Sequence, residues 1–558
     1  MIKFMRKTIP VLVALIVLLT VFIIIAKLAG QKEQPSGEDP ETTALLINTP
    51  GKESLPTVSP EPTDPPVETP TPEPQFSAVI SPRLEGTGSE DIEISVRENL
   101  IEARYPYLKD EDLFSGMKLI VDGENIGYVE GQETGFEPWQ LYPVKITDSQ
   151  GLVKDFTFRF IPKGLNIPLV SIYTEGPVTS RLDYVSGTIY VNGDNTEGFK
   201  GKNIDGAGLK IRGRGNASWD MTDKKAYRLK LNEKSSVLGL PTNRDFVLVS
   251  NYFDKSLLRN VVAHSLAQQM EYLYYTPTHI EIDFFLNGRY MGVYTIADKI
   301  EEAKSKVQVY NGTNPDEPGF MIEIGWDYSK TNVRDKDYFD TDIIIRLFVK
   351  EPDIPAANSP EMMYIKNYIK KAEEAMVSGI GYDEYIDVDN MVDWFIIAEL
   401  TNNTEMAFYR SCYFYKPEGG KITMGPVWDF DMAFGNHQGD IWDYNGWATA
   451  EATYHYVNDT WTTYLVKDQK FMDKVRARWL EVRDRLLETA SRTIDEQYAL
   501  VKDSAELNFS RWDIIGQQIG LGNVDYKVYD TYEKQVRFLR EFIIKRAAWI
   551  DGRLGISN

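Results

Sequence analysis

Cysteine, histidine and clustered positive charge are all scarce in this chain. Cys412 is the only cysteine in 558 residues, so no intrachain disulfide can form, which sets the chain apart from disulfide-rich secreted scaffolds. Its neighbours Tyr413, Phe414 and Tyr415 predict a strand with the thiol packed inside. The four histidines, His264, His279, His437 and His455, lack the spacing of a zinc site. A formal net charge of -22 excludes non-specific nucleic-acid binding, which needs clustered Lys and Arg to displace counterions from phosphates. No internal repeat is present. What the chain does have is apolar and aromatic mass: 42% hydrophobic residues, with 32 Tyr, 25 Phe and 11 Trp, enough for a large core. At this length more than one domain is expected.

Residues 9–26 are almost uninterruptedly apolar and follow Lys3, Arg6 and Lys7. As a helix, eighteen residues span about 27 Å, close to the hydrocarbon thickness of a bilayer, and the basic flank predicts a cytoplasmic N-terminus. The run is longer than the usual core of a signal peptide, and Lys27 stands where cleavage wants a small residue. A cytoplasmic tail over 1–7 and an uncleaved transmembrane anchor over 8–28 are therefore expected, with the rest of the chain outside the cell membrane, on a bacterial surface. Residues 29–75 carry eleven of the 28 prolines among Thr, Glu and Ser. Such a segment buries too little apolar surface to offset its ordering entropy and reads as an extended, disordered stalk. Residues 76–163 alternate with period two, as in Phe156-Thr157-Phe158-Arg159-Phe160, and predict a small β-sandwich of immunoglobulin-like kind.

From residue 166 to 558 the pattern is α+β. Ile280, Ile282, Phe284 and Leu286 alternate up to Asn287-Gly288, the signature of a type I′ hairpin, and the return strand runs from Tyr290 to Ile296. Leu257, Leu258, Val261, Val262, Leu266 and Met270 follow the helical period, with Asp254 or Ser256 as N-cap. Ser359-Pro360 opens a second helix that Gly379 should close. Beyond about Trp461 the chain reads as mostly helical through Ile550.

Chemistry concentrates in three segments. Asp429 and Asp431 lie two apart, so an extended backbone would turn both carboxylates to one face, where they could grip a hard cation. Spacing alone is weak evidence in a chain with 83 acidic residues; Trp428, Phe430, Phe434 and Gly435 give the pair its setting. Upstream, Arg212-Gly213-Arg214-Gly215 precedes Lys224-Lys225, a glycine-rich turn and basic strand of the sort that can approach phosphates. Between them, Asn403-Thr404-Glu405 ends a helix built on Met391, Trp394, Phe395 and Ile397. A carboxylate on a loop, then a hairpin, then a metal-binding carboxylate is the order used in kinase-type phosphoryl transfer.

Five linked motifs carry a resemblance: Arg212-Gly213 with Lys225-Ala226-Tyr227; Asn251-Tyr252; Lys255-Ser256-Leu257-Leu258-Arg259-Asn260; Asn287-Gly288-Arg289-Tyr290-Met291-Gly292-Val293-Tyr294; and Gly425-Pro426-Val427-Trp428-Asp429-Phe430-Asp431. Together, over roughly residues 167–553, the chain resembles the spore coat protein H (CotH) kinase family. The resemblance implies an atypical protein-kinase-like fold that binds ATP with Mg²⁺ and phosphorylates serines of surface or coat proteins. It implies Asp429 and Asp431 as metal ligands and Lys225 as the phosphate-facing lysine, supported by Arg212 and Arg259. Asp298 would be the acid that orients the lysine. Glu405 stands where the family has a catalytic aspartate, and Ser411 where it has a metal-binding asparagine. The longer side chain places a carboxylate about 1–1.5 Å further out, a scale that can cost ~10²-fold in rate. Two readings follow: an anchored extracytoplasmic kinase acting on a Ser-rich surface or coat protein, or a catalytically weak or inactive scaffold. Trp442, Tyr444, Trp447, Tyr454, Tyr456 and Trp461 suggest cell-wall glycan as the scaffold's partner, since exposed aromatics make low-entropy contact surfaces.

Overall fold

The structure is a computed structural model that describes residues 75–556, apart from 77–79, 86–91, 108–117, 123–125, 130–135, 313, 315, 326–336, 438–443, 452–458 and 521–525. The expected anchor, and the stalk up to residue 74, lie outside the described residues. Among those described, no helix is long and apolar enough to cross a membrane.

Seven strands form the first layer of structure. β1 (Ser81–Glu85) pairs with β4 (Lys118–Asp122), while β2 (Glu93–Arg97), β3 (Leu100–Tyr105), β5 (Ile126–Val129), β6 (Tyr142–Thr147) and β7 (Val153–Pro162) make a sheet in the order β2-β3-β7-β6-β5. Period-two burial along β6 turns Tyr142, Val144 and Ile146 inward onto Phe136, Phe158 and Phe160.

The next seven strands close on themselves. β8 (Leu169–Thr174), β9 (Val185–Asn192), β10 (Ile204–Arg214), β11 (Ala226–Ser235), β12 (Asn243–Val249), β13 (His279–Leu286) and β14 (Arg289–Asp298) form a barrel in the order β10-β11-β12-β14-β13-β8-β9. Closure removes both sheet edges. Alternate residues, among them Ile211, Leu229, Phe246, Ile282, Phe284 and Tyr294, fill the interior. The β13–β14 hairpin turns at Asn287 (φ 51°) and Gly288 (φ 77°), as its sequence predicts. Between β10 and β11 lies α1 (Ala217–Asp220), and α2 (Arg259–Ala267) follows β12. That helix begins later than its apolar period suggests: Leu257 sits at φ 58°, and Asp254 takes the backbone N–H groups of Ser256 and Arg259 ahead of the first turn.

The remainder combines β15 (Phe320–Ile324), β16 (Tyr338–Phe339), β17 (Leu347–Glu351), α3 (Pro360–Ser378), α4 (Val388–Leu400), β18 (Cys412–Lys416), β19 (Thr423–Met424), α5 (Trp461–Leu465), α6 (Gln469–Arg511) and α7 (Tyr532–Arg553), with strand order β16-β17-β15-β18-β19. The Ser359 hydroxyl caps α3 at Met362 N, and Gly379 ends it at φ 70°, both as expected. Cys412 is buried in β18.

At 43 residues, α6 is about 65 Å long and packs on both the barrel and the helices. One buried carboxylate joins it to the rest: Asp283 accepts hydrogen bonds from Tyr107 Oη (2.9 Å), Tyr290 Oη (2.9 Å) and Ser504 Oγ (2.7 Å). Beside it, Lys224 Nζ donates to Val293 O (2.6 Å) and Asn508 Oδ1 (2.7 Å). The close approach needs Gly292 (φ 106°), where a Cβ would stand 2.5 Å from Asn508 Oδ1.

Candidate active site

The segment carrying Asp429 and Asp431 is not extended. Asp429 adopts φ 65°, and the buried, apolar Phe430, Ala433 and Phe434 anchor the turn in the core, with Asp429 and Asp431 half-buried on either side of Phe430. Neighbouring side chains hold the turn by its peptide groups. Phe430 N donates to Asn260 Oδ1 (2.9 Å), Asn403 Nδ2 to Asp429 O (3.1 Å), Asn436 Nδ2 to Asp431 O (2.7 Å), and Arg259 Nε to Ala433 O (3.1 Å). Residues from α2 and from the end of α4 therefore fix where the two carboxylates lie. Asn260 continues this support into the barrel, since its Nδ2 donates to Asn251 Oδ1 and Asn251 Nδ2 to Thr295 Oγ1 on β14.

The carboxylates crowd one another. Burial first, then the negative charges of Asp429, Glu405 and Asp254, push Asp431 well above the usual carboxylate range. Glu405 sits in a short 3₁₀ turn after α4, its N–H capped by Asn403 Oδ1 at 3.1 Å. It is only 4% exposed. Burial pushes its carboxyl up to about 7, with Arg410 pulling it down and Asp429 raising it. Arg410 donates from Nε (2.6 Å) and also from its terminal nitrogen to the same oxygen, Oε1. Ser411, at φ 51°, donates from Oγ to Asp429 Oδ2 at 2.9 Å, so it faces the acid pair where the resemblance expects an asparagine. Left-handed conformations at Phe408, Ser411 and Asp429 are sparsely populated by such residues and mark the site as over-determined by its surroundings.

The basic residues fall in different places. Lys225 Nζ is bonded to the carbonyls of Trp219 (2.6 Å) and Thr222 (2.5 Å) and so braces α1 and the loop after it. Arg212 lies over the Tyr184 ring at 5.2 Å. Arg259 is fully buried in an ion pair with Asp254 and reaches the acid pair only through that partner and the Ala433 carbonyl. Asp298 pairs with Lys306 at 3.8 Å; on the barrel it is level with Leu229, four residues and about 13 Å along the strand from Lys225. One further residue belongs to the site: Arg214, on the same face of β10 as Arg212, lies 5.6 Å over Trp428, next to Asp429. Its sequence signal was the alternation of β10, which puts Arg214 on the strand face that Arg212 occupies. The aromatic segment divides as well: Trp447 and Trp461 are core, Tyr444 is exposed, and Trp442, Tyr454 and Tyr456 lie outside the described residues.

A metal could use this arrangement in one way. Among the described residues no group of three or more His, Cys, Asp or Glu side chains is placed to hold an ion. Magnesium, however, usually takes one or two carboxylates and completes its shell with waters and substrate phosphates. A carboxylate pair whose mutual repulsion raises Asp431 fits that role, because a divalent cation relieves the repulsion.

No curated protein matches the chain. A family model described as CotH kinase protein matches residues 211–550, which takes in β11 to β19, the acid pair, Glu405 and nearly all of α7. The chain belongs to the CotH kinase family.

Proposed function

We propose that this protein is a CotH-type atypical protein kinase that transfers the γ-phosphoryl group of ATP to a serine (or threonine) hydroxyl of a surface or coat protein, held at the bacterial surface by its N-terminal anchor. The observation that carries the reading is Glu405: a buried carboxyl pushed up to about 7 whose charge, after burial and the charge of Asp429, also raises Asp431. A proton acceptor tuned near neutrality beside a cation-binding pair is the combination that phosphoryl transfer requires. Asp429 and Asp431 would hold Mg²⁺, which neutralises charge on the phosphates of bound ATP. Glu405 takes the proton of the attacking hydroxyl. Ser411 orients Asp429 through its 2.9 Å bond. Arg214 takes the phosphate-facing role that the resemblance assigns to Lys225, whose ammonium is committed to backbone carbonyls.

The test is calorimetry of the whole chain with ATP and magnesium, beside Asp431→Asn, together with phosphate transfer to a Ser-rich acceptor. Binding that the variant loses, with transfer that Glu405→Gln abolishes, supports the kinase; no binding by either protein overturns it. A weak or inactive scaffold is the second reading, and the Arg410–Glu405 contact favours it, because an engaged carboxylate is a poorer proton acceptor. Binding of ATP with magnesium but no transfer across pH 6–9 would select that reading.

A further inference from the structure

The hydrogen bonds that hold the acid turn continue into the barrel as a single line. It begins at the peptide N–H of Phe430, between Asp429 and Asp431, which donates to Asn260 Oδ1 on α2 (2.9 Å). Asn260 Nδ2 donates to Asn251 Oδ1 (3.2 Å), Asn251 Nδ2 to Thr295 Oγ1 on β14 (2.7 Å), and Thr295 Oγ1 to Glu281 Oε1 on β13 (3.3 Å). All four of these side chains are buried. The β13–β14 register sets Glu281 directly opposite Thr295, and Asn251 joins the line from φ 51°, a left-handed position that asparagine adopts more readily than most residues.

A peptide N–H can only donate, and this fixes the sense of every later link. Asn260 must turn its amide oxygen to Phe430 and its nitrogen to Asn251, Asn251 repeats the arrangement toward Thr295, and the threonine oxygen, already an acceptor, has its own hydrogen left to give. The line therefore ends on a hydrogen that needs an acceptor, and Glu281 supplies it. Bonds aligned in one sense polarise one another, so the last acceptor strengthens the first link as well as satisfying a buried hydroxyl. Burial pushes the Glu281 carboxyl up to about 8; at neutral pH it is mainly the neutral acid, which accepts through its carbonyl oxygen as a glutamine amide does. Asp283, two residues further along β13, is a contrast: its hydroxyl partners are Tyr107, Tyr290 and Ser504, none of them on the way to the acid turn.

We propose that Glu281 is a positioning residue for the acid turn: by ending this line of hydrogen bonds it fixes the peptide between Asp429 and Asp431, and with it the orientation in which the two carboxylates meet magnesium. The consequence for magnesium rests on the kinase reading; the hold on the peptide does not.

The test compares Glu281→Leu and Thr295→Val, which cut the line, with Glu281→Gln, which keeps its last acceptor, and with Asp283→Asn, a change at another buried acid of the same strand. Two quantities are measured on the full chain: hydrogen–deuterium exchange of the peptide spanning Asp429 and Asp431, and the magnesium concentration that half-saturates ATP binding in calorimetry. The cutting variants should speed exchange by about fivefold or more and raise the magnesium midpoint by about threefold or more, the range that loss of one hydrogen bond produces. Glu281→Gln and Asp283→Asn should stay within about twofold of the parent in both. The proposal is overturned if a folded cutting variant leaves exchange unchanged, if exchange quickens while the magnesium midpoint stays put, if Glu281→Gln behaves like Glu281→Leu, or if Asp283→Asn loosens the turn as much. Should Glu281→Leu not fold, Thr295→Val, which preserves side-chain shape, decides the matter. A parent that binds no ATP with magnesium overturns the kinase reading instead, and exchange alone then decides whether Glu281 holds the turn.

Discussion

Arg410→Met is the most revealing perturbation of the acid-pair site. The guanidinium makes two contacts to Glu405 Oε1 where the carboxylate is 5% and the arginine 21% exposed, and it holds down a carboxyl that burial raises to about 7. A hydrogen bond to a charged group contributes about 1.5–3 kcal/mol, and each pKa unit corresponds to about 1.4 kcal/mol. Removing Arg410 therefore favours the protonated form of Glu405 by about 10- to 100-fold. At pH 7 the ionised fraction falls from about one half to between about 9% and 1%, so the rate falls about 5- to 50-fold if the carboxylate is the base. The assay is single-turnover transfer from radiolabelled ATP to a Ser-rich peptide between pH 5.5 and 9.5, with thermal unfolding recorded alongside. The acid limb of the profile should move to higher pH while the two proteins converge above pH 9. A limb that stays at about 7 or moves down, or a variant faster than the parent at pH 7, refutes the assignment of Glu405 as a base tuned by Arg410.

Three other outcomes are expected. Asn260→Ala leaves Phe430 N without its acceptor and detaches the acid turn from Asn251; it should cost about 1–3 kcal/mol in urea unfolding and weaken magnesium-dependent ATP binding measured by calorimetry. Glu281 is buried, and burial pushes its carboxyl up to about 8. An acid raised on folding stabilises the fold fully below its unfolded pKa and loses that contribution as pH rises through the folded value. Glu281→Gln should thus gain stability relative to the parent between pH 4.5 and 8, on the order of 4 kcal/mol, read as a difference in Tm between the two proteins that grows over that window. Gly292→Ala forces a Cβ to within 2.5 Å of Asn508 Oδ1 at φ 106° and should destabilise by at least about 1–3 kcal/mol, seen as a lower urea midpoint with early loss of the α6–barrel contact in hydrogen exchange.

Local features were legible in the sequence wherever one residue type satisfies one backbone requirement. Ser359 and Gly379 bound α3 because a hydroxyl caps the first N–H groups and glycine accepts φ 70°; Asn287-Gly288 turns its hairpin because both residues accept positive φ. The start of α2 falls later than the apolar period because Asp254 satisfies N–H groups of an irregular turn that the period cannot reveal. The barrel was not visible either: β13 and β8 pair in parallel more than a hundred residues apart, and no local pattern records that register.

The candidate site divides along the same line. Sequence alone determined which side chains are available: the carboxylates of Asp429, Asp431 and Glu405, the basic residues along β10 and β11, and the family motifs that join them. Tertiary structure decided which of these meet. Asp429 and Asp431 face one site through a left-handed kink and a set of peptide hydrogen bonds rather than an extended strand; Lys225 is spent on backbone carbonyls while Arg214 reaches Trp428; and Arg410, five residues from Glu405, becomes its partner. Residue type sets what a group can do, but its charge state and its partners follow from shared burial, which exists only once distant segments of the chain have excluded water together.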